Sequence, residues 1–404
     1  MDYPECPAAD CARAERLRRA LTDWTGAAPA DVRVVRSPYR VCPLGAHVDH
    51  QGGCVAGMAV DRALLAAYAP TADRCVAVRS LQFEGTARFA LDAVPPRAGD
   101  WADYARGAAS ALCRLGPLRR GVAVLVDGSR NVGGLSSSAA AGLAYLMALA
   151  SANDLELSAR ELIELDRAVE NDYVGLNNGT LDQSMILLSR AGMLTHLDCA
   201  TGRARRLAPG GGAEFRIAVL FSGLRTALHS TAYNARVAEC RAAAEALLKE
   251  AGMAVPDRPR LRDVPPDVHA RHAASLAPAL RKRARHYFDE QARVADGLEA
   301  WTAGDLARFG RLMTESGRSS IELYECGTAH LRTGYEVLSG APGVYGARFS
   351  GAGFRGCCVA LVRPGCEAEI ARCVLTGYLR AHPDVEGEAE VFFCRSGDGA
   401  AVLE

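Results

Sequence analysis

Residues 132–138 read Val132-Gly133-Gly134-Leu135-Ser136-Ser137-Ser138, between an apolar run and a long alanine-rich run. The pattern predicts a buried strand over Gly121–Val126 and a helix over Ser138–Ala150, so the segment is a strand-to-helix loop. Glycines there let backbone N–H groups approach an anion. The helix start adds a positive dipole end, and three hydroxyls add donors or metal ligands. Taken alone, the segment serves equally well as a flexible linker and helix cap. The chain has two lysines, Lys249 and Lys282, and neither follows a glycine-rich loop. That excludes a Walker A site and a protein-kinase strand lysine. Phosphate bound here would need a second cation, such as a metal held by carboxylates.

Working outward, two acids lie downstream. Glu170 closes a predicted helix over Ala159–Glu170, with Ser158 as its N-cap. Asp182 opens a shorter one, Asp182–Leu188, after the turn Asn177-Asn178-Gly179. A carboxylate near an alcohol acceptor can orient it or take its proton. Upstream, residues 38–53 read PYRVCPLGAHVDHQGG and gather Arg40, His47, Asp49 and His50. Farther on, residues 349–358 read FSGAGFRGCC, where clustered glycines expose backbone donors or simply turn a hairpin.

The rest of the chain supplies a frame. Strand signals at 32–35, 55–68, 76–80 and 86–91 precede the loop, and Ala102–Leu112 has helical spacing. After residue 192, strand and helix signals mix again, with strands at 217–221, 347–349, 357–362 and 390–394. The expectation is an α+β chain of two domains, 1–195 and 196–404, with the site in the cleft between them. The 47 basic and 47 acidic residues balance, so no global field favours nucleic acid or an anionic membrane. The longest apolar run, near Ala139–Ala150, is too short to span a bilayer. The N-terminus has no apolar leader segment, and the scattered cysteines suit thiols in a reducing, cytoplasmic compartment. The run Arg281–Arg285 reads as a solvated helix face.

Together these segments resemble the three signature motifs of the GHMP kinases, in order, and the galactokinase branch in particular. That branch reads GRVNLIGEHTDYNGG, then GxGLSSSA, then GGGFGGC. Glu170 and Asp182 keep its spacing between magnesium glutamate and catalytic aspartate. Trp101-Ala102-Asp103-Tyr104 matches its W-x-x-Y helix start, and Tyr233 falls at its sugar-contacting tyrosine. The resemblance covers about residues 30–395.

It implies ATP and Mg²⁺ over Val132–Ser138 (Val132, Gly133, Gly134, Leu135, Ser136, Ser137 and Ser138), with Ser138 and Glu170 holding the metal. Trp101 and Tyr104 are the adenine-side candidates. Asp182 would act on the anomeric hydroxyl as base or orienter. Arg40 would stabilise the transferring phosphoryl group and fix Asp182. Ala46, His47, Asp49, His50, Gly179, Tyr233 and Arg355 would meet the sugar.

Ala46 is the departure. Galactokinases carry glutamate there, on the sugar's 6-hydroxyl. A uronic acid has a carboxylate at that carbon, and two carboxylates in contact repel by about 4 kcal/mol at an effective dielectric of about 20. Alanine removes that repulsion and makes room. The implied reaction is ATP-dependent phosphorylation of D-galacturonate at its anomeric hydroxyl. The alternatives are a neutral-sugar 1-kinase for galactose or L-arabinose and, more remotely, a non-catalytic sugar and ATP sensor. Candidates for the substrate carboxylate are Arg355 first, for its bidentate geometry, then His50, with His47 also in reach. Monomer and dimer both remain open.

Overall fold

Ala14, Leu17 and Leu21 recur along one side of the first helix, α1 (Ala8–Thr25), and pack on Val34, Leu65 and Leu125 of the sheet beneath. The computed structural model describes residues 8–129, 132–224, 230–354 and 356–403. Two long antiparallel strands follow, β1 (Arg33–Leu44) and β2 (Cys54–Thr71), paired from Arg33 opposite Tyr68 to Leu44 opposite Ala56. Next come β3 (Cys75–Ser80), β4 (Thr86–Ala90), α2 (Asp103–Cys113) and β5 (Gly121–Asp127). Strand β5 runs antiparallel to β2 and parallel to β3. Helix α3 (Ser137–Ala152) is apolar nearly all round and is correspondingly buried against β1, β2 and α2. Then follow α4 (Ala159–Ala168), α5 (Leu181–Leu188), β6 (Leu194–Asp198) and β7 (Arg203–Leu207).

The second sheet begins with β8 (Arg216–Phe221). Five helices intervene: α6 (Ser230–Glu250), α7 (Pro266–His272), α8 (Pro278–Ala303), α9 (Leu306–Glu322) and α10 (Ala329–Ser339). The strands β9 (Val344–Phe349) and β10 (Cys357–Val362), helix α11 (Glu367–Ala381) and β11 (Glu390–Cys394) complete it, in the order β11-β8-β10-β9. Helices α9 and α10 cover one face of this sheet, and α11 packs beside them. The chain then returns to the first sheet as β12 (Ser396–Gly397) on β2 and β13 (Ala401–Leu403) on β1. The α+β architecture expected from the sequence is present.

Sheet membership does not follow a cut at residue 195. Strand β6 begins at Leu194, and β7, β12 and β13 also lie in the first sheet. Two further departures bear on the site. The run Val32–Val35 does not end before PYRVCPLGAHVDHQGG; β1 carries on to Leu44, and the first half of that segment is strand. Its register against β2 shifts between Pro38 and Arg40, and the Arg40 N–H turns to the carbonyl of Leu135 at 3.1 Å. Pro38 has no N–H to give the ladder, and a bulge there re-aims the following side chain. The helix expected over Ala159–Glu170 stops as α-helix at Ala168 and widens into a π-turn, Val169–Val174, closed by Gly175 at φ 86°. Glu170 therefore sits in an inserted turn, a common way of placing functional side chains. Arg283, from the run read as solvated, is buried and bridges Glu239 and Glu325.

Candidate active site

Strand β1, the loop before α3, the start of α5 and the β9–β10 loop converge on one cleft of about 570 Å³. At its centre Arg40 Nε donates to Asp182 Oδ1 at 2.8 Å, and Ser136 Oγ donates to Asp182 Oδ2 at 2.5 Å. Arg40 Nη1 reaches the carbonyl of Gly134 at 3.3 Å and the hydroxyl of Ser350 at 3.2 Å. One arginine thus ties all three motifs to the aspartate. Burial opposes its charge, but Asp182 outweighs burial and holds the Arg40 pKa above its ordinary value.

The backbone here is strained. Ser136 has φ 60° and His47 φ 56°, left-handed values for residues with side chains, and both line the cleft. Such conformations cost about 1–3 kcal/mol each and mark places where geometry serves function. The glycines of the third motif are explained by docking rather than by a hairpin alone. A Cβ on Gly356, at φ 95°, would meet the Gly133 carbonyl at 2.2 Å, and one on Gly134 would meet the Ser350 carbonyl at 2.9 Å. The two loops touch backbone to backbone, which only glycine permits.

Of the expected phosphate-loop residues, Gly133, Gly134, Ser136, Ser137 and Ser138 line the cleft, whereas Val132 and Leu135 are core beneath it. Glu170 also lines it, buried, with one oxygen accepting from the amides of Asn178 and Gln183. Burial first, and the charge of Asp182 second, hold the Glu170 carboxyl above its usual range. Neighbouring Asp166 is buried too, and burial first, with the charge of Glu170 second, raises its carboxyl well above its usual range. Trp101 and Tyr104 line the same cleft, and Phe83 stacks on Trp101 with centroids 5.9 Å apart.

Among the expected sugar residues, Ala46, His47, Asp49 and Tyr233 line the cleft. Burial and the neighbouring Asp182 push Asp49 up to about 6. Gly179 is not a lining residue; it lets α5 approach, since a Cβ there would meet Asp49 Oδ2 at 2.6 Å. His50 is set back, bonded to Tyr324 Oη at 3.1 Å and to the Gln51 amide at 2.9 Å. The amide nitrogen only donates, so His50 Nδ1 accepts and Nε2 carries the proton. Arg355 lies outside the described residues.

Four residues that sequence reasoning did not single out complete the site. Glu290 on α8 accepts from the N–H groups of Gly45 (2.8 Å) and Ala46 (3.1 Å). His286, one turn earlier, donates to the Ala46 carbonyl at 3.0 Å. Tyr324 stacks on His47 with centroids 4.2 Å apart. Arg348 on β9 lines the cleft and is 2% exposed. Their signals are weak in sequence because each reaches the site only through tertiary packing; the His286–Glu290 spacing of four was the readable part.

Among the described residues, one group of metal-ligand types lies outside the cleft. His330, His382 and Asp384 gather on the second sheet's helical side. The two rings stack at 3.9 Å, 25° from parallel, which does not direct both nitrogen lone pairs at one ion.

Comparison with known proteins came to the same place. The N-terminal domain of the GHMP kinases matches residues 103–190, and their C-terminal domain matches 295–379. The chain is 45% identical over 413 residues to the galacturonokinase of Arabidopsis thaliana, covering 96% of this chain and 97% of that one. It is 35% identical over 370 residues to a galactokinase of Roseiflexus sp. (strain RS-1), covering 91% and 92%. The solved structure of Lactococcus lactis galactokinase complexed with galactose superposes with a TM-score of 0.88 at 28% identity, covering 96% and 99%. No helix among the described residues is long and apolar enough to cross a membrane.

Proposed function

The chain belongs to the GHMP kinase family, and from that premise we propose that it transfers the γ-phosphoryl group of ATP to the anomeric hydroxyl of D-galacturonate. The products are α-D-galacturonate 1-phosphate and ADP. The observation that carries this reading is the coexistence, in one cleft, of the Arg40–Asp182–Ser136 centre with Ala46, where neutral-sugar relatives are expected to carry glutamate.

Asp182 has one oxygen on Arg40 and the other on Ser136, so it is held in one orientation. It positions the anomeric hydroxyl, and the proton moves to it late, as the new O–P bond forms and the bond to ADP breaks. Phosphoryl transfer needs little more than such positioning and charge stabilisation. Arg40, already on the phosphate-loop carbonyl of Gly134, supplies positive charge beside the transferring group.

The phosphates fit the loop Gly133–Ser138 at the N-terminus of α3, where helix dipole and N–H groups favour anions. The adenine fits beside Trp101 and Tyr104, with Phe83 stacked on Trp101. Mg²⁺ fits the donor set as well. Glu170 is a buried carboxylate that accepts from the amides of Asn178 and Gln183, with the Ser138 hydroxyl beside it. Bound there with phosphate oxygens, the ion would neutralise charge on the triphosphate. Free thiols at the described cysteines fit a cytoplasmic setting.

Release of ADP is the test, measured with galacturonate, glucuronate, galactose and L-arabinose. The expected order puts galacturonate first and leaves Asp182→Asn nearly inactive on it. Faster turnover of galactose or arabinose would replace this reading with that of a neutral-sugar 1-kinase.

A further inference from the structure

Around Ala46 the charges do not balance. Glu290 is a single buried acid, held down to about 2 despite its burial by Arg293, His286 and Arg348. Its oxygens are already committed to Arg293 at 2.7 Å, to Ser316 at 2.6 Å and to the N–H groups of Gly45 and Ala46. Arg348 reaches this acid only through Ser316, whose hydroxyl accepts from Nη1 at 3.0 Å; its Nε goes to the carbonyl of Phe349 at 2.9 Å. Both partners are neutral. Among the described residues no carboxylate pairs with Arg348, and Nη2 has no hydrogen bond to any of them. Two cations therefore share one acid, in a place where an unpaired buried charge is costly.

The other basic groups nearby do not supply that charge. Burial, then the neighbouring His286 and Arg348, push the His47 pKa well below its ordinary value, and burial pushes His50 down to about 3. The void beside Ala46 is also fixed. Its N–H is held by Glu290 and its carbonyl by His286, both on α8, so the backbone cannot fall inward to fill the missing side chain.

We propose that Arg348 is the residue that binds the substrate's carboxylate, in the space left by Ala46. The inference rests on the uronate reading above. Where a galactokinase is expected to keep an acid on its own chain, this enzyme leaves the cation open, and the sugar brings the acid. Guanidinium and carboxylate then form a charge-assisted pair out of water, which is strong and directional. Arg348 lies in β9 and Ser350 two residues on, just past the strand's end, so the residue that grips carbon 6 adjoins the loop that touches Arg40.

The experiment compares galacturonate and galactose in the wild type, Arg348→Gln and Arg348→Lys. A wild type that prefers galactose would end the uronate reading itself, and this inference with it. Given a preference for galacturonate, Arg348→Gln should raise its KM about 100-fold. Its kcat/KM for galactose should fall at least about tenfold less than that for galacturonate. Arg348→Lys, which keeps the charge and serves if the glutamine variant does not fold, should raise the galacturonate KM about tenfold, with a smaller change on galactose. Without ATP, galacturonate should raise the wild-type Tm, and that rise should shrink in Arg348→Lys. Equal fold losses on both sugars, or an unchanged galacturonate KM in either variant, would overturn the assignment while leaving the function standing.

Discussion

Two arginines sit in the cleft with nearly the same burial, Arg40 at 3% exposure and Arg348 at 2%. Each donates to a serine hydroxyl and a backbone carbonyl. They differ in one thing. Arg40 has a carboxylate of its own chain at 2.8 Å, and Arg348 has none among the described residues. A cation that is paired in advance serves as part of the machinery, fixed before the ligand arrives. A cation left open is paid for only when a ligand with the right charge enters, which makes it a selector.

The largest effect should come from removing the acid of the paired arginine. Asp182→Asn should lower kcat by about 10²–10⁴-fold, measured by ADP release, and should also lower Tm, because it leaves the buried Arg40 without its carboxylate. A loss under about tenfold would mean that Asp182 is not the group acting on the hydroxyl. The converse change gives the open arginine an acid. Ala46→Glu should cost galacturonate about 4 kcal/mol of binding, about a thousandfold in kcat/KM, while activity on galactose rises. Parallel losses on both sugars would erase the distinction between the two arginines.

Gly356→Ala acts between them. A Cβ there meets the Gly133 carbonyl at 2.2 Å and must also adopt φ 95°. The loops that hold Arg40 should part, with kcat down about tenfold to a hundredfold for every sugar. A change in sugar preference instead would show that the loop selects rather than aligns.

The smallest effect is in pH. Asp49 is raised to about 6, so it gains a proton on descending through that value and stops accepting from the sugar. Wild-type kcat/KM for galacturonate should fall about tenfold per unit below that point, and Asp49→Asn should lack that limb. Linkage has the opposite sense. The folded state binds this proton more tightly than the unfolded chain, so this group's contribution to stability falls as pH rises from 3.8 through about 6. The Tm of the wild type relative to Asp49→Asn should decline over that window, and a rising difference would contradict the raised pKa.

The residues that were legible in the sequence share a feature: their chemistry and their neighbours in the chain point the same way. Gly133–Ser138 reads as a strand-to-helix loop because both flanking elements are strongly apolar. Trp101 and Tyr104 read as a helix start, and they line the cleft. Arg348 was not legible, since an arginine inside Val344–Phe349 looks like any polar residue of an edge strand until Ser316 and Glu290 are folded against it. His50 differs: its place in the motif suggested a sugar contact, and folding commits its ring nitrogens to Tyr324 and Gln51. Helix α1 was passed over because charged residues outnumber the three apolar ones that hold it to the sheet. The π-turn at Glu170 has no sequence signature, as the residues of one extra turn position look like ordinary helix.

Strand β13 has a consequence of a different kind. Val34, Val35 and Arg36 pair with Leu403, Val402 and Ala401, so the sheet that carries Arg40 is bordered by two segments of opposite ends of the described chain. During synthesis that border of β1 stays open until residues 401–403 have left the ribosome. The second sheet, local in sequence from 216 to 394, can assemble before then. A nascent chain therefore carries a bare apolar edge until β13 has emerged, and β13 caps the strand most open to pairing with another copy.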